Sequence, residues 1–492
     1  MKRPALLLVV LSAVPAPLMT ACSDDSNPAE GGGNTGGGTS QTPMVGAKGV
    51  AISEVSIYQS LKRRLNLDGS AGVVPIIAGR DAVIRVFITA DGDYDGKDVT
   101  ARLQIEGGDP IELTQKITLP ASSEEDIAST INFTVPGDRI GATLSYSIAI
   151  LQEGAEADDN AAAHWPPSGN HDVAVEGPVN KLRVILAPFR YDNDGSGRLP
   201  DTSPEAIEKY RNRLKQWYPV SDVEVTARAA TPWNQPIDGQ GNGWQEVGFE
   251  VFGMRAEDGE SADPYYYGVF NPRATFGQYC GQGCLLGVTL LNDMPADVGN
   301  PQLRLALGVG YEDYAYDTAA HEIGHAHGRR HADCGGADQI DPQFPHPSGQ
   351  IGEWGLDTAT LTLYPPTAYT DMMGYCDNAW ISDYNFAALL SRGKNVNLPK
   401  WHQPTNTRVA LVGLDGNGGS TFGGFSTANT DLGGRQLQTT ITDLEGRQSS
   451  TKATFASYDH LPGGIVMVQV DDDNVREIEI EEGGIRHLVT LP

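Results

Sequence analysis

The run DTAAHEIGHAHGRRH, residues 317–331, sets the terms for the middle of this 492-residue chain. His321 and His325 stand four apart, so on a helix both imidazoles leave one face, a turn from each other. At that spacing two neutral imidazoles reach one zinc ion at about 2.0–2.1 Å. Glu322 is one residue on, offset from the pair, where its carboxylate meets a water rather than the metal. Gly328 can take the positive φ that ends a helix, and the chain then swings His331 back as a third ligand. Three histidines with one corner open describe a catalytic zinc, whereas a closed set of four describes a structural one. In the open case zinc lowers the pKa of its water toward ~7 and Glu322 serves as general base. Gly324 costs about 1 kcal/mol in mid-helix relative to Ala, which suggests close packing under the metal. His327 faces away from the ligands in helical register and reads as a supporting or surface residue. The bland alternative is a histidine-rich helix end with no metal; the glycine and third histidine at fixed offsets weigh against it.

The full pattern His321–Glu322–x–x–His325–x–x–Gly328–x–x–His331 resembles the zinc signature of the metzincin metallopeptidases. The resemblance implies a tight turn carrying a methionine below the metal. TDMMGYC, residues 370–376, is similar to that turn, with Met373 as its methionine, Met372 as competitor and Gly374 supplying the bend. A polarizable, flexible thioether suits an apolar floor beneath imidazoles. By the same resemblance Tyr375 is a metal-site tyrosine that ligates at rest and hydrogen-bonds the oxyanion; its alternative is a buried ring anchored through its hydroxyl. HADCGGAD (331–338) and YCDNAWISDYNFAALL (375–390) are similar to exported bacterial reprolysin-like domains. The likeness spans roughly residues 180 to 395 and implies a zinc endopeptidase acting on extracellular proteins or glycoproteins.

Five cysteines are present. Cys22 belongs to the N-terminal region below, which leaves Cys280, Cys284, Cys334 and Cys376. An even number in an exported chain suggests two disulfides. Of the three pairings, Cys280–Cys284 with Cys334–Cys376 is preferred, the second joining the segments that carry the third ligand and the methionine turn. A metal site on Cys280 and Cys284 is the rival.

Lys2 and Arg3 precede an apolar stretch, 5–14, too short to span a bilayer, and Thr20, Ala21 and Cys22 follow. This resembles a bacterial lipobox with Cys22 lipidated, although Met19 stands where Leu is usual; ordinary secretion is the alternative. The expected location is a bacterial outer-membrane lipoprotein or cell surface, otherwise secreted. SDDSNPAEGGGNTGGGTSQTPM, 23–44, reads as a flexible tether. With 35 Lys and Arg against 63 Asp and Glu, net charge is −28, which repels nucleic acid and anionic lipid. Contact with membrane is expected only through the lipid anchor. Oligomeric state leaves no trace.

Outside the middle, β patterns dominate. AVIRVFITA (82–90), ARLQIEG (from 101), STINFTV (from 129) and LSYSIAIL (from 144) alternate in the strand manner between turns, as in an immunoglobulin-like β-sandwich. LRVILAPF, from residue 182, is a compact apolar strand of parallel-sheet type. A helix follows, capped by Thr202 or Ser203, with Pro204 in its first turn, Glu205 completing a capping box, and Ile207, Tyr210, Leu214 and Trp217 on one face. After about residue 400 the strands RVALVGL, QLQTTITDL, GIVMVQV and REIEIEE return. The expected organisation is a signal peptide at 1–21, lipidated Cys22 and tether at 22–45, a β-sandwich at 46–177, an α/β metzincin-type domain at 178–399 and a small β-domain at 400–492. Asp192, Asp194 and Ser196 alternate as in a calcium loop, but Ser203 holds the twelfth position where a bidentate Glu belongs, so Ca2+ is only weakly supported. DDD at 471–473 reads as a solvated turn. A second class of function is a non-catalytic surface adhesion or carbohydrate-binding lipoprotein, its zinc domain vestigial.

Overall fold

Residues 43–65, 74–118, 120–177, 181–259, 263–281, 283–291, 301–396, 406–429 and 434–492 are described by a computed structural model. The signal peptide, Cys22 and the tether up to residue 42 lie outside the described residues.

Alternation builds the N-terminal part. Asp98–Ile105 buries every second side chain, so one face meets a core and the other water. It lies in an antiparallel sheet with Met44–Gly46, Thr143–Glu153 and Ile111–Lys116. A second antiparallel sheet contains Val50–Tyr58, Ser60–Arg64, Ala82–Ala90 and Ile131–Val135. Val55, Ile57, Ile84 and Val86 of the second sheet share one core with Val99, Ala101 and Leu103 of the first. The second sheet does not stop at residue 177. Gly355–Asp357 pairs with Ser60–Arg64, and Thr362–Tyr364 pairs in turn with Gly355–Asp357. Ladder bonds therefore tie this sheet into the segment read as the metal domain.

The middle of the chain is a mixed sheet. Val223–Ala227, Leu182–Tyr191, Tyr265–Phe270 and Leu305–Val309 run parallel in that order, and Gly287–Thr289 closes one edge antiparallel. Tyr265–Phe270 is buried along its whole length, as strands covered on both faces must be. Helices Pro204–Trp217 and Glu312–Ala326 cover one face through Tyr210, Leu214, Trp217, Ala319 and Ile323. Ser203 caps the first of these by accepting from Ala206 N. The expected capping box is not made, because Ala206, not Glu205, occupies the third helical position. On the other face lie Trp244–Asp258, a helix with no clear apolar period in its sequence, and part of the C-terminal sheet.

That C-terminal sheet has seven antiparallel strands between Asn406 and Thr490. Both of its faces are buried where it docks. Val409, Leu411, Ile465 and Met467 join the core beneath Trp244–Asp258, while Ala410, Val412, Val466 and Val468 form a core of their own. The molecule is thus rich in β-structure and built from several sheets, one bound to the middle by ladder bonds and one by a shared core.

A candidate metal centre closed by the C-terminal sheet

Glu312–Ala326 positions the first two histidines. Glu312 and Asp313 sit at its amino end, where negative charge opposes the helix dipole. Its alanines at 315, 319, 320 and 326 are buried and let the backbone lie close to the sheet. The helix stops at Ala326 in a hydrogen-bonded reversal. Gly328, at φ +82°, donates to the His325 carbonyl at 2.7 Å, and Arg329 N donates to the Gly324 carbonyl at 3.0 Å. This turn returns His331 to the helix face.

His325 Nε2 lies 3.1 Å from His321 Nε2 and 3.0 Å from His331 Nε2. Each ring is held from behind. Nδ1 of His321 meets the Met372 carbonyl at 2.7 Å, Nδ1 of His325 the Arg329 carbonyl at 2.6 Å, and Nδ1 of His331 the Asp338 carbonyl. A carbonyl only accepts, so each Nδ1 carries the proton and each Nε2 presents a lone pair. Burial, together with the other imidazoles, holds His321 and His325 well below the usual histidine range and His331 at about 4. Three neutral rings with lone pairs converging at 3 Å repel unless a cation lies between them. A tetrahedral metal with Zn–N-type bonds of ~2.0–2.1 Å spaces its ligand atoms by about 3.3–3.4 Å, close to what is seen. The residues fit a metal ion.

Under the site, a Cβ on residue 324 would lie 2.5 Å from Met373 Sδ, so glycine is what lets the thioether reach the helix. Met373 is fully buried and Met372 nearly so; the first supplies the floor and the second the carbonyl that orients His321. The turn is held by Asp371, whose carboxylate accepts from Met373 N, Ser382 N and Asn385 Nδ2 at 2.7–2.8 Å. Cys334–Cys376 binds this turn to the segment after His331, and Cys280–Cys284 closes the turn leading to the edge strand Gly287–Thr289. The preferred pairing is the one formed.

Glu322 is 2% exposed and lies against Gly287, whose missing side chain leaves room for its carboxylate. Burial pushes its carboxyl up to about 8. The partner facing it is one that the sequence did not single out: Asp459, 3% exposed, from the C-terminal sheet. Burial, then the Glu322 carboxyl, drives Asp459 well above the usual carboxylate range. Glu322 Oε2 and Asp459 Oδ2 are both buried without a hydrogen-bond partner, and His460 Nε2 lies 3.4 Å from Glu322 Oε1 and 3.3 Å from Asp459 Oδ2.

The next residue changes the expected coordination. His460 brings one ring nitrogen within 4.8 Å of those of His321, His325 and His331. Its ring centroid is 4.8 Å from that of His331, and its Nδ1 lies 2.6 Å from the Tyr375 hydroxyl, which is itself 3.2 Å from His331 Nε2. The corner expected to be open is faced by an imidazole from beyond residue 400. Tyr375 is at the site as its position implied, with 43% of its surface exposed rather than buried.

One further expectation is corrected. His327 is neither at the surface nor behind the ligands. It is buried, bonds through Nδ1 to the Ile323 carbonyl at 2.7 Å, and stacks on Tyr265 at 4.3 Å. The stretch weighed as a calcium loop is a polar turn, in which Arg190 pairs with Asp192 at 2.9 Å and Arg198 with Asp194 at 2.6 Å. Among the described residues, the groups arranged to hold a cation are the four histidines and the adjoining Glu322–Asp459–His460 set.

His460 sits in YDHLPGG, a hairpin tip whose Pro-Gly-Gly announces a turn but whose Asp-His carries no metal-ligand spacing. Nothing local could have marked it. No family model matches this chain, and no curated protein matches it. Among solved structures it is similar to one titled "Structure of a chaperone-substrate complex", at 11% identity and a TM-score of 0.25. That match covers 56% of this chain and 40% of the other. A likeness so slight carries no argument about fold or function.

Proposed function

We propose that this chain is a zinc-dependent endopeptidase exported from a bacterial cell, of the metzincin kind that its signature resembles. One observation carries the reading. Three neutral imidazoles converge at 3.0–3.1 Å with every Nδ1 already committed, beside a buried carboxylate that is not itself needed as a ligand. Two disulfides agree with an oxidising compartment.

When bound, zinc would supply Lewis acidity to a scissile carbonyl and acidity to water. His321, His325 and His331 would hold it through Nε2, kept from rotating by the Met372, Arg329 and Asp338 carbonyls. Glu322, with its carboxyl pushed up to about 8, is basic enough to take a proton from water at Oε1 or Oε2 and acidic enough to return it to the departing amine nitrogen. A cation nearby lowers that value toward neutrality. Tyr375 Oη, 3.2 Å from His331 Nε2, is placed to donate to the substrate oxygen as it gains charge.

His460 favours a second reading, in which four histidines make a closed structural site within a non-catalytic surface protein. Glu322 weighs against it, since a structural metal gains nothing from a buried carboxyl poised near neutrality. Metal analysis and casein digestion, with and without chelator, decide between them. They are run on the full chain and on His460→Ala, so that the fourth imidazole cannot mask activity. One zinc per chain, chelator-sensitive fragments, and a loss of at least 1000-fold in Glu322→Gln with zinc retained are expected. Zinc-loaded chains of both kinds that release no fragments would end the peptidase reading.

A further inference from the structure

The segment that carries Asp459 and His460 does more than touch the site. Gly287–Thr289 is the edge of the central sheet, and its open side would be a row of unpaired backbone groups. Residues 457–459 fill it as an added antiparallel strand. Leu291 N donates to the Ser457 carbonyl at 2.8 Å, Tyr458 bridges Leu290, and Asp459 N donates to the Thr289 carbonyl at 3.2 Å. Thr289 N donates to Asp459 Oδ1 at 2.9 Å, and Gln339 Nε2 to the Asp459 carbonyl at 2.6 Å. From this strand Asp459 and His460 both reach Glu322, His460 Nε2 lying 3.4 Å from Glu322 Oε1, and the same imidazole has a ring nitrogen within 4.8 Å of those of His321, His325 and His331.

An extended polypeptide approaching Glu322 along that edge would need the same backbone groups and the same corner. Both are taken by the chain itself. The loop is the tip of a hairpin, Gln448–Ser457 and Gly464–Gln469, at the inner end of the C-terminal sheet. We propose that residues 457–460 are a built-in plug: their backbone occupies the edge strand in the manner of a substrate, and His460 stands as a fourth ligand, so that the full chain is latent until this hairpin is drawn from the site. What the plug blocks rests on the peptidase reading; that it blocks a coordination position does not.

The test uses the full chain, metal-free and then loaded with Co2+, as wild type, His460→Ala and His460→Gln. The glutamine keeps a polar side chain of similar reach and guards against a fold defect in the alanine variant, and far-ultraviolet circular dichroism confirms the fold of each. Acetohydroxamate, a small chelating anion, is titrated while the visible cobalt bands are followed. The plug predicts that both variants differ from wild type in their bands before any addition, and respond to acetohydroxamate at concentrations at least tenfold lower than wild type needs. Equal responses in all three chains overturn it. Casein cleavage is measured in parallel on zinc-loaded protein, with a rise of at least tenfold expected in both variants. Wild type that cleaves as fast as the variants overturns latency and leaves the peptidase standing. Variants that admit acetohydroxamate yet cleave nothing sink the peptidase and leave the plug. A chain that takes up no cobalt overturns both.

Discussion

Five histidines lie near one another in this molecule, and what each can do is set by what its Nδ1 touches. His321, His325 and His331 give theirs to carbonyls that leave Nε2 facing a common point; His460 spends Nδ1 on Tyr375; His327 spends it on its own helix. His327 is the one with a purely structural task. Burial against Tyr265 and Tyr218 brings its pKa down to about 3. In the unfolded chain it binds a proton near pH 6.5, so the native state loses stability as pH falls from about 6.5 toward 3, with a slope of up to about 1.4 kcal/mol per unit. His327→Phe keeps the aromatic stack and removes the titration. Urea midpoints measured from pH 7 to 4 should fall less steeply in this variant than in wild type, and equal slopes would contradict the assignment. From sequence alone this histidine was legible only as a non-ligand, because helical register tells which face it leaves but not whether that face is buried.

At the scale of elements, the floor under the histidine cluster is made by two loops rather than by a helix alone. The segment after His331 and the turn at Met373 exchange backbone bonds, Ala332 N to the Met373 carbonyl and Tyr375 N to the Cys334 carbonyl, each at 3.0 Å. The Cys334–Cys376 bridge spans 42 residues of chain and locks that pair of loops. Replacing both cysteines by serine should cost about 2–4 kcal/mol through the freer unfolded chain. It should also weaken metal binding, because the Asp338 and Met372 carbonyls that orient His331 and His321 ride on the same loops. Denaturant titration of metal-free protein reads the first effect and competition with a zinc chelator the second. Unchanged zinc affinity would mean the loops hold their geometry without the bridge.

Across the whole molecule, the N-terminal sheets are part of the scaffold on which the helix Glu312–Ala326 rests. Arg80, between two strands of that part, is buried and reaches into the middle of the chain. Its guanidinium donates to the Lys215, Tyr218 and Val220 carbonyls at 2.5–2.9 Å and to Ser60 Oγ at 2.6 Å, finishing the carboxyl end of Pro204–Trp217. Burial lowers its pKa to about 10, which leaves it charged at neutral pH. Tyr218 then passes the contact on, its hydroxyl donating to the Ala320 carbonyl in Glu312–Ala326 at 2.6 Å. Arg80→Met strands three carbonyls in the interior, and a loss of about 3–5 kcal/mol is expected by denaturant titration. A loss below about 1 kcal/mol would show that water replaces the guanidinium and that the two parts are less firmly joined than the contacts suggest.

What the sequence determined by itself was whatever depends on neighbours within a few turns. Two histidines four residues apart on a helix, a glycine that lets the chain reverse and a third histidine just beyond it bring three imidazoles together by local geometry, and period-two burial along Asp98–Ile105 follows from the pleat. Only the tertiary structure decided who stands opposite those imidazoles. Asp459 and His460 reach Glu322 from a hairpin tip more than a hundred residues further along, and Gly355–Asp357 leaves its own segment to pair with Ser60–Arg64. Such contacts are set by which faces remain to be buried once the sheets have formed, and no spacing along the chain records that choice.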